Sequence, residues 1–147
     1  MLRLNAYRVA FGVTVFLAAF SNSSWAEKDN REVIVLDDVA RAFIIHEMQQ
    51  NVSGLQQAMT ALSNDDMKSV ASALRPLGMQ GMGSAPPTLM SAVPDGFRKI
   101  GMPTHMAFDR IADAAEKGAS TKDILSSIGM AMKHCVACHA AYRVESK

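Results

Sequence analysis

Both cysteines of this 147-residue chain lie near its C-terminus, in the stretch Cys135-Val136-Ala137-Cys138-His139. C-x-x-C-H is the pattern of a c-type haem attachment site. Two thiols three residues apart on a helix can add to the two vinyl groups of one porphyrin, and the next imidazole then becomes the proximal iron ligand. The motif therefore predicts one covalent haem c, attached at Cys135 and Cys138 and ligated by His139.

Other uses of two cysteines explain this stretch less well. A structural disulfide would leave His139 without a role. A thioredoxin-like redox pair requires a βαβ setting, and no β-rich pattern lies near the cysteines. A structural zinc site takes four protein ligands, and the chain has no second ligand pair. Haem is the interpretation that uses every residue of the motif.

The N-terminus has the pattern of a secretory signal peptide. Arg3 and Arg8 form a basic region, and the apolar run Val9–Phe20 is too short to span a bilayer comfortably. Ser24-Trp25-Ala26 supplies small residues at the two positions that a signal peptidase reads. We expect cleavage after Ala26 and a periplasmic protein, with an uncleaved membrane anchor as the alternative. Export agrees with the motif, because bacteria attach c-type haem outside the cytoplasm.

The remaining chain, residues 27–147, has the length of one domain. It carries 13 basic and 14 acidic side chains, a net charge of −1, because the leader contains two arginines and no acidic residue. No basic run predicts binding to nucleic acid or to an anionic membrane. Abundant alanine and methionine and few aromatic residues favour helices.

Two helices are predicted in the first half. Asp37 or Asp38 can cap the first, and Val33–Leu36 before it is left extended or unassigned. The second follows an N-cap at Ser63 and ends or kinks at Pro76. Spacings of three and four define their apolar stripes. These stripes are Ile45, Met48, Val52, Leu55, Met59 and Leu62 in the first helix, and Met67, Val70, Leu74 and Leu77 in the second.

Residues 78–103 contain four of the five prolines and are rich in glycine and methionine, which predicts a long connection with at most a short helical turn near residues 89–93. The spacing of Met79 and Met82 is compatible with a copper site. Methionines that fill gaps over a cofactor explain the pair more simply.

Two further helices complete an all-α, antiparallel four-helix bundle. The third runs from Thr104 to about Lys117, and the fourth follows a capping box at Ser120 and runs to about Val144. Four side chains form the buried face of the third: Phe108, Ile111, Ala112 and Ala115. The predicted seam of the fourth is Leu125, Ile128, Met132, Cys135, His139 and Tyr142. The haem residues would therefore face the interior, and the porphyrin would replace side chains as bundle filling.

Four helices with this motif at the end resemble the class II c-type cytochromes, the cytochrome c′ family. The Tyr142-Arg143 pair after the motif is similar to that family's usual ending. The resemblance implies a four-helix bundle, the cofactor roles given above, and Arg143 near the proximal haem face. Arg41, four residues before Ile45, resembles the family's Arg-x-x-x-apolar pattern, which implies a contact with a haem propionate. The middle of the chain differs from the family, since residues 78–103 are unusual and residues 27–147 lack tryptophan.

The residue at the sixth iron position decides the mechanism. Met48 over the iron would make the haem low-spin and suited to electron transfer. Ile45 over it would leave an apolar wall that only a diatomic gas could displace. Both lie on the predicted stripe of the first helix, so both remain open. His46 points away from this stripe, and we interpret His46, His105 and His134 as surface residues.

These features predict a periplasmic monohaem cytochrome c that carries single electrons between redox partner proteins and is not an enzyme. The alternative is a five-coordinate haem protein that binds nitric oxide or carbon monoxide. A peroxidase-like enzyme would need a distal acid–base residue, and the predicted distal stripe is apolar. A homodimer through the first two helices is a candidate assembly, although no exposed stripe marks it.

Overall fold

A computed structural model describes residues 28–147, so the predicted leader, residues 1–26, lies outside the described residues. The described chain is predominantly helical, as predicted, with a small sheet that was not predicted. Its elements are β1 (Glu32–Leu36), α1 (Asp38–Leu62), α2 (Met67–Leu74), α3 (Pro87–Ala92), α4 (Asp95–Glu116), α5 (Thr121–Ala141) and β2 (Tyr142–Ser146). None of these helices is long and apolar enough to cross a membrane.

Two of the predicted helix starts are confirmed by their caps. The Asp37 side chain accepts the backbone N–H of Ala40 at 2.8 Å, which satisfies a free donor in the first turn of α1. Ser120 caps α5 by accepting the N–H of Asp123 at 3.2 Å. Its hydroxyl also donates to the Asp123 carboxylate at 2.6 Å, so the two side chains fix this helix start together.

The turn between α1 and α2 differs from the prediction. Ser63 ends α1, and Asp66 caps α2 by accepting the N–H of Ser69 at 3.0 Å. Asp65 has a φ of 52°, the left-handed conformation that reverses the chain between the two helices. A 3₁₀ turn, Arg75–Leu77, follows α2, so the helix ends just before Pro76 as predicted.

The prediction of a long connection over residues 78–103 is confirmed in part: α3 corresponds to the short helical turn expected near residues 89–93, but the expected end of the connection at Pro103 is wrong. A 3₁₀ turn at Gly81–Ser84 and α3 fill much of it, and α4 begins at Asp95 instead of Thr104. Pro103 lies inside α4, where the Thr104 hydroxyl donates to the Ile100 carbonyl at 2.8 Å. A proline inside a helix raises the free energy of that helix but does not by itself end it. Packing on both sides, by Phe97 before it and Phe108 after it, outweighs that penalty.

The fourth predicted helix also ends early, at Ala141, because the following residues form a strand. β2 pairs in parallel with β1, with Ile34 opposite Val144. Ile34 and Leu36 are buried, whereas Val33 and Val35 on the other face of β1 are exposed. The first and last described segments are therefore joined beside the end of α5.

The predicted apolar stripes of α1 and α5 are displaced in part: Leu62 and Ile128 are buried as predicted, but at several other positions the buried residue is a neighbour of the predicted one. On α1 the buried side chains include Ile44, Ala58 and Ala61, whereas Val52 is 71% exposed. On α5 they are Ile124, Ile128 and Ala131, while Leu125 and Met132 are exposed. The prediction followed the largest apolar side chains. Helices approach most closely where side chains are small, so alanines occupy the contacts instead.

The core is divided into two clusters. The main core lies between α1, α2, α4 and α5, and its largest fully buried side chains are Phe108, Leu74, Ile124, Ile128 and Val70. The second cluster joins β1 and α3 to the start of α1, and its buried members are Ile34, Leu36, Ala40, Ile44, Leu89 and Val93. α1 packs on α2, α2 on α4, and α4 on α5, whereas α1 and α5 make little direct contact.

Candidate cofactor site

Two adjoining cavities separate α1 from α5 beside the second cluster. The first has a volume of about 310 Å³ and the second about 750 Å³. Both volumes lie in the range of small-molecule and cofactor sites. The residues that line both cavities are Ile44, Met48 and Val52 of α1, Phe97 of α4, and Cys138 and His139 of α5. The two spaces therefore meet at the C-x-x-C-H motif.

The two cysteines are free thiols on the same wall. Both are half-buried; Cys135 lines the first cavity and Cys138 lines both. Burial raises the pKa of the Cys135 thiol from its usual value of 9.0. Burial also raises the pKa of Cys138, and the neighbouring Cys135 adds to this shift. Both groups are therefore protonated thiols at neutral pH, directed to one cavity system.

His139 lines both cavities but is exposed, so the expectation that it faces a closed interior is wrong. The reason is that α1 and α5 make little direct contact and two cavities lie between them. Its backbone carbonyl accepts a hydrogen bond from the Arg31 guanidinium at 3.4 Å. The imidazole thus stands at the rim of an open cavity, at the end of α5.

α1 supplies the wall that faces the motif. Met48 is half-buried and lines both cavities, whereas Ile45 lines only the second. Ile44, which is 8% exposed, also lines both, although the predicted stripe omitted it. The structure thus brings both candidates for the sixth iron position to the cavity system and adds a third apolar side chain beside them.

The two predicted arginines occupy different places. Arg143 lines the second cavity, and Arg41 lines neither. In each, the Nε atom is shielded from solvent and has no hydrogen-bond partner among the described residues. A shielded guanidinium nitrogen without a partner is costly. Arg143 therefore lies at the wall of the second cavity, where its Nε is 3.5 Å from Oδ2 of Asp29, while Arg41 lies apart from both cavities.

His105 was predicted to lie at the surface, and it is instead 7% exposed. Its Nδ1 lies 2.8 Å from the Leu77 carbonyl and must donate to it, since a carbonyl only accepts. Its Nε2 lies 3.7 Å from Oε1 of Glu47, and both side chains line the first cavity. Burial raises the pKa of the Glu47 carboxyl, against the opposing effect of His105 and then His46.

A signal for His105 was present in the sequence. His105, Phe108, Ala112 and Ala115 recur at spacings of three, four and three, so the buried stripe of α4 extends back to the histidine. The predicted helix start at Thr104 hid this continuity. His134 is half-buried on the wall of the first cavity, which also differs from the prediction, whereas His46 is exposed as expected.

Methionines contribute much of the first cavity wall: Met48, Met82, Met90, Met102 and Met132. Their flexible side chains can adapt to the shape of a large planar group, which agrees with the gap-filling interpretation of Met82. Met79 is 38% exposed and lies outside this wall. Among residues 28–147, no three His, Cys, Asp or Glu side chains are grouped closely enough to hold a bare metal ion.

Comparison of the chain with protein families, with curated proteins and with solved structures finds no match.

Proposed function

We propose that this chain is a periplasmic monohaem c-type cytochrome that carries single electrons. The observation that supports it most is the position of the C-x-x-C-H motif. Two free thiols and an imidazole within five consecutive residues border cavities that are large enough for a cofactor and lie opposite an apolar wall. In this proposal Cys135 and Cys138 hold the haem, and His139 is its proximal ligand.

The donor set fits the group. Free thiols can add their S–H groups to vinyl groups, and the imidazole of His139 stands exposed at the rim of the same cavities. Arg143 lines the second cavity, and its guanidinium suits a carboxylate at that wall. When bound, the iron supplies reversible one-electron chemistry. The chain's own contribution is to attach the group, orient it and surround it with apolar side chains.

The finer architecture belongs to the same proposal. We interpret α1, α2, α4 and α5 as the four helices of an antiparallel bundle of the cytochrome c′ type, with α3 inserted in the connection before α4. The gap between α1 and α5 would then be the haem slot. This interpretation explains why cavities lie next to the cysteines while the main core is filled by buried side chains.

Met48 supports the electron-carrier form, because it lines both cavities and its thioether is a known haem ligand. Ile45 supports the alternative, a five-coordinate protein that binds nitric oxide or carbon monoxide. It lines the second cavity from α1, its neighbour Ile44 lines both, and either would present only an apolar side chain. The two forms differ in which of these side chains stands over the iron.

Absorption spectra of the full chain, expressed with a haem-attachment system, test the proposal. We expect a spectrum of c-type haem in the wild-type protein and none in the Cys135→Ser/Cys138→Ser variant. If Met48 is the sixth ligand, Met48→Leu abolishes the methionine–iron band in the far red. Met59→Leu is the matched control, because Met59 lies on the same helix outside both cavities. A high-spin wild-type spectrum that shifts with carbon monoxide would favour the gas-binding form. A colourless protein would contradict both.

Export is tested separately. We expect the protein in the periplasmic fraction, with a mass that corresponds to removal of residues 1–26. A cytoplasmic protein with an intact N-terminus would contradict this part of the proposal.

A further inference from the structure

The segment before α1 reaches across the molecule to the cofactor motif. We call residues 29–36 the N-terminal strap. Its strand β1 pairs with β2, the strand that directly follows α5, and Ile34 and Leu36 anchor it in the second cluster at 2% and 0% exposure. The strap therefore has a fixed register, which carries Arg31 to the wall of the second cavity.

Charge on that wall has one sign. Among the described residues that line the second cavity, Arg31 and Arg143 are the charged ones apart from the titratable His139. Most of the remaining lining is apolar, including Ile44, Met48 and Phe97. A mostly apolar cavity with two guanidinium groups on one side is complementary to a ligand that has an apolar body and carries carboxylate groups.

Asp29 indicates that the two guanidinium groups can share a carboxylate. One of its oxygens, Oδ2, lies 2.8 Å from Nη2 of Arg31 and 3.5 Å from Nε of Arg143. Its other oxygen accepts from Nε of Arg31 at 2.9 Å. Asp29 itself stands outside the cavity lining, as does Glu145, which pairs with Nη1 of Arg143. Counting the bond to the His139 carbonyl, these contacts use three N–H groups of Arg31 and two of Arg143. Since a guanidinium carries five N–H groups, each arginine keeps donors for a further acceptor.

We propose that Arg31, delivered by the strap, and Arg143 form a binding pair for the carboxylates of a porphyrin in the second cavity. This inference rests on the proposed function and makes the N-terminal strap a part of the cofactor site. It assigns to Arg31 the role that the sequence pattern suggested for Arg41, which lines neither cavity. Arg31 also donates to the His139 carbonyl, so the same side chain links the carboxylate site to the residue that would hold the iron.

Binding of a metal-free porphyrin tests the pair without electron transfer or covalent attachment. The full chain, produced without a haem-attachment system and kept reduced, is titrated with protoporphyrin IX and with its dimethyl ester. The ester has the same apolar body but no carboxylates. We expect Arg31→Ala and Arg143→Ala each to weaken binding of the diacid about tenfold, as for loss of a hydrogen bond to a charged group, and to leave the ester unaffected. Arg31→Lys, which keeps the charge, should lose less.

Two further variants sharpen the result. Asp29→Asn removes the competing carboxylate charge and should tighten diacid binding about threefold, an effect of the size expected for a partly exposed charge pair. Arg110→Ala, an exposed arginine of α4 outside both cavities, is the matched control and should change neither affinity.

The outcomes separate this inference from the proposed function. Equal loss of acid and ester binding in Arg31→Ala would mean that the strap only supports the fold, and it would overturn the inference. The inference would also be overturned, while the proposed function stands, if the affinity for the diacid were unchanged in Arg31→Ala and Arg143→Ala. A weaker diacid affinity in Asp29→Asn would have the same meaning. Failure of the wild-type chain to bind either porphyrin would contradict both.

Discussion

The two ends of the helical assembly are built from the same long helices and differ in how closely those helices approach. At the closed end, around the main core, alanines fill the contacts of every long helix: Ala58 and Ala61 of α1, Ala112 and Ala115 of α4, and Ala131 of α5. At the open end, around the C-x-x-C-H motif, two cavities lie between α1 and α5. The small side chains that close one end are replaced at the other by half-buried methionine, cysteine and phenylalanine.

The closed end is therefore built for stability, and the open end is built for binding. Close packing at the main core can hold the helices in register without help from a ligand. The open end has less direct contact between helices, and the strap and the second cluster hold it together. A rigid closed end can therefore position an end that is free to enclose a cofactor.

The largest expected contrast comes from two phenylalanines of α4. Phe108→Ala at the closed end removes a side chain of 0% exposure and should lower the free energy of unfolding by about 3–5 kcal/mol. Phe97→Ala at the open end should cost about 1–2 kcal/mol, because its ring is half-buried and packs edge-on against Tyr142 at 5.6 Å. Urea denaturation of the protein without haem measures both. Equal costs would mean that the ends are equally packed.

A smaller effect is expected from adding a methyl group where the helices are closest. A Cβ atom at Gly54 would stand 2.8 Å from Cδ1 of Leu77 and 2.9 Å from the Ala73 carbonyl oxygen. Because that oxygen belongs to the backbone of α2, the helices must move apart, and Gly54→Ala should cost about 1–3 kcal/mol. Gly129→Ala is the control, since its added Cβ would meet nothing within 4 Å. A stabilising Gly54→Ala would show that α1 and α2 are not closely packed.

The smallest effect concerns pH at the open end. Burial raises the pKa of Cys135 and Cys138, so the folded chain holds these two protons more tightly than the unfolded chain. The free energy of unfolding should therefore be unaffected below the unfolded pKa and fall as pH rises past about 9. Denaturation from pH 7 to pH 10, compared with the Cys135→Ser/Cys138→Ser variant, measures it. An identical pH dependence in the two proteins would contradict the burial of the thiols.

The sequence predicted which residues lie at the open end better than it predicted the elements that form that end. Cys135, Cys138, His139, Met48 and Ile45 were all chosen from spacing, and the structure brings all five to the cavities. Local chemistry was enough for this, because a motif and a helical period depend on near neighbours. The haem itself and the identity of its sixth ligand stay predictions.

The features that the sequence patterns did not predict depend on contacts between residues far apart in the chain. The pairing of Glu32–Leu36 with Tyr142–Ser146 leaves no trace in either segment alone, so neither β2 nor the role of Arg31 was predicted. The early start of α4 was hidden by Pro103, whose penalty is overcome by packing on both sides. The buried stripes were displaced because alanines, which carry little hydrophobic signal, form the helix contacts.

We propose that a porphyrin is covalently held by the last helix and fills the open end. Intact mass of the purified full chain under denaturing conditions, after expression with a working haem-attachment system, tests this proposal directly. We expect one haem to stay on each chain through denaturation and none to stay on the Cys135→Ser/Cys138→Ser variant. A wild-type mass that corresponds to the polypeptide alone would contradict it.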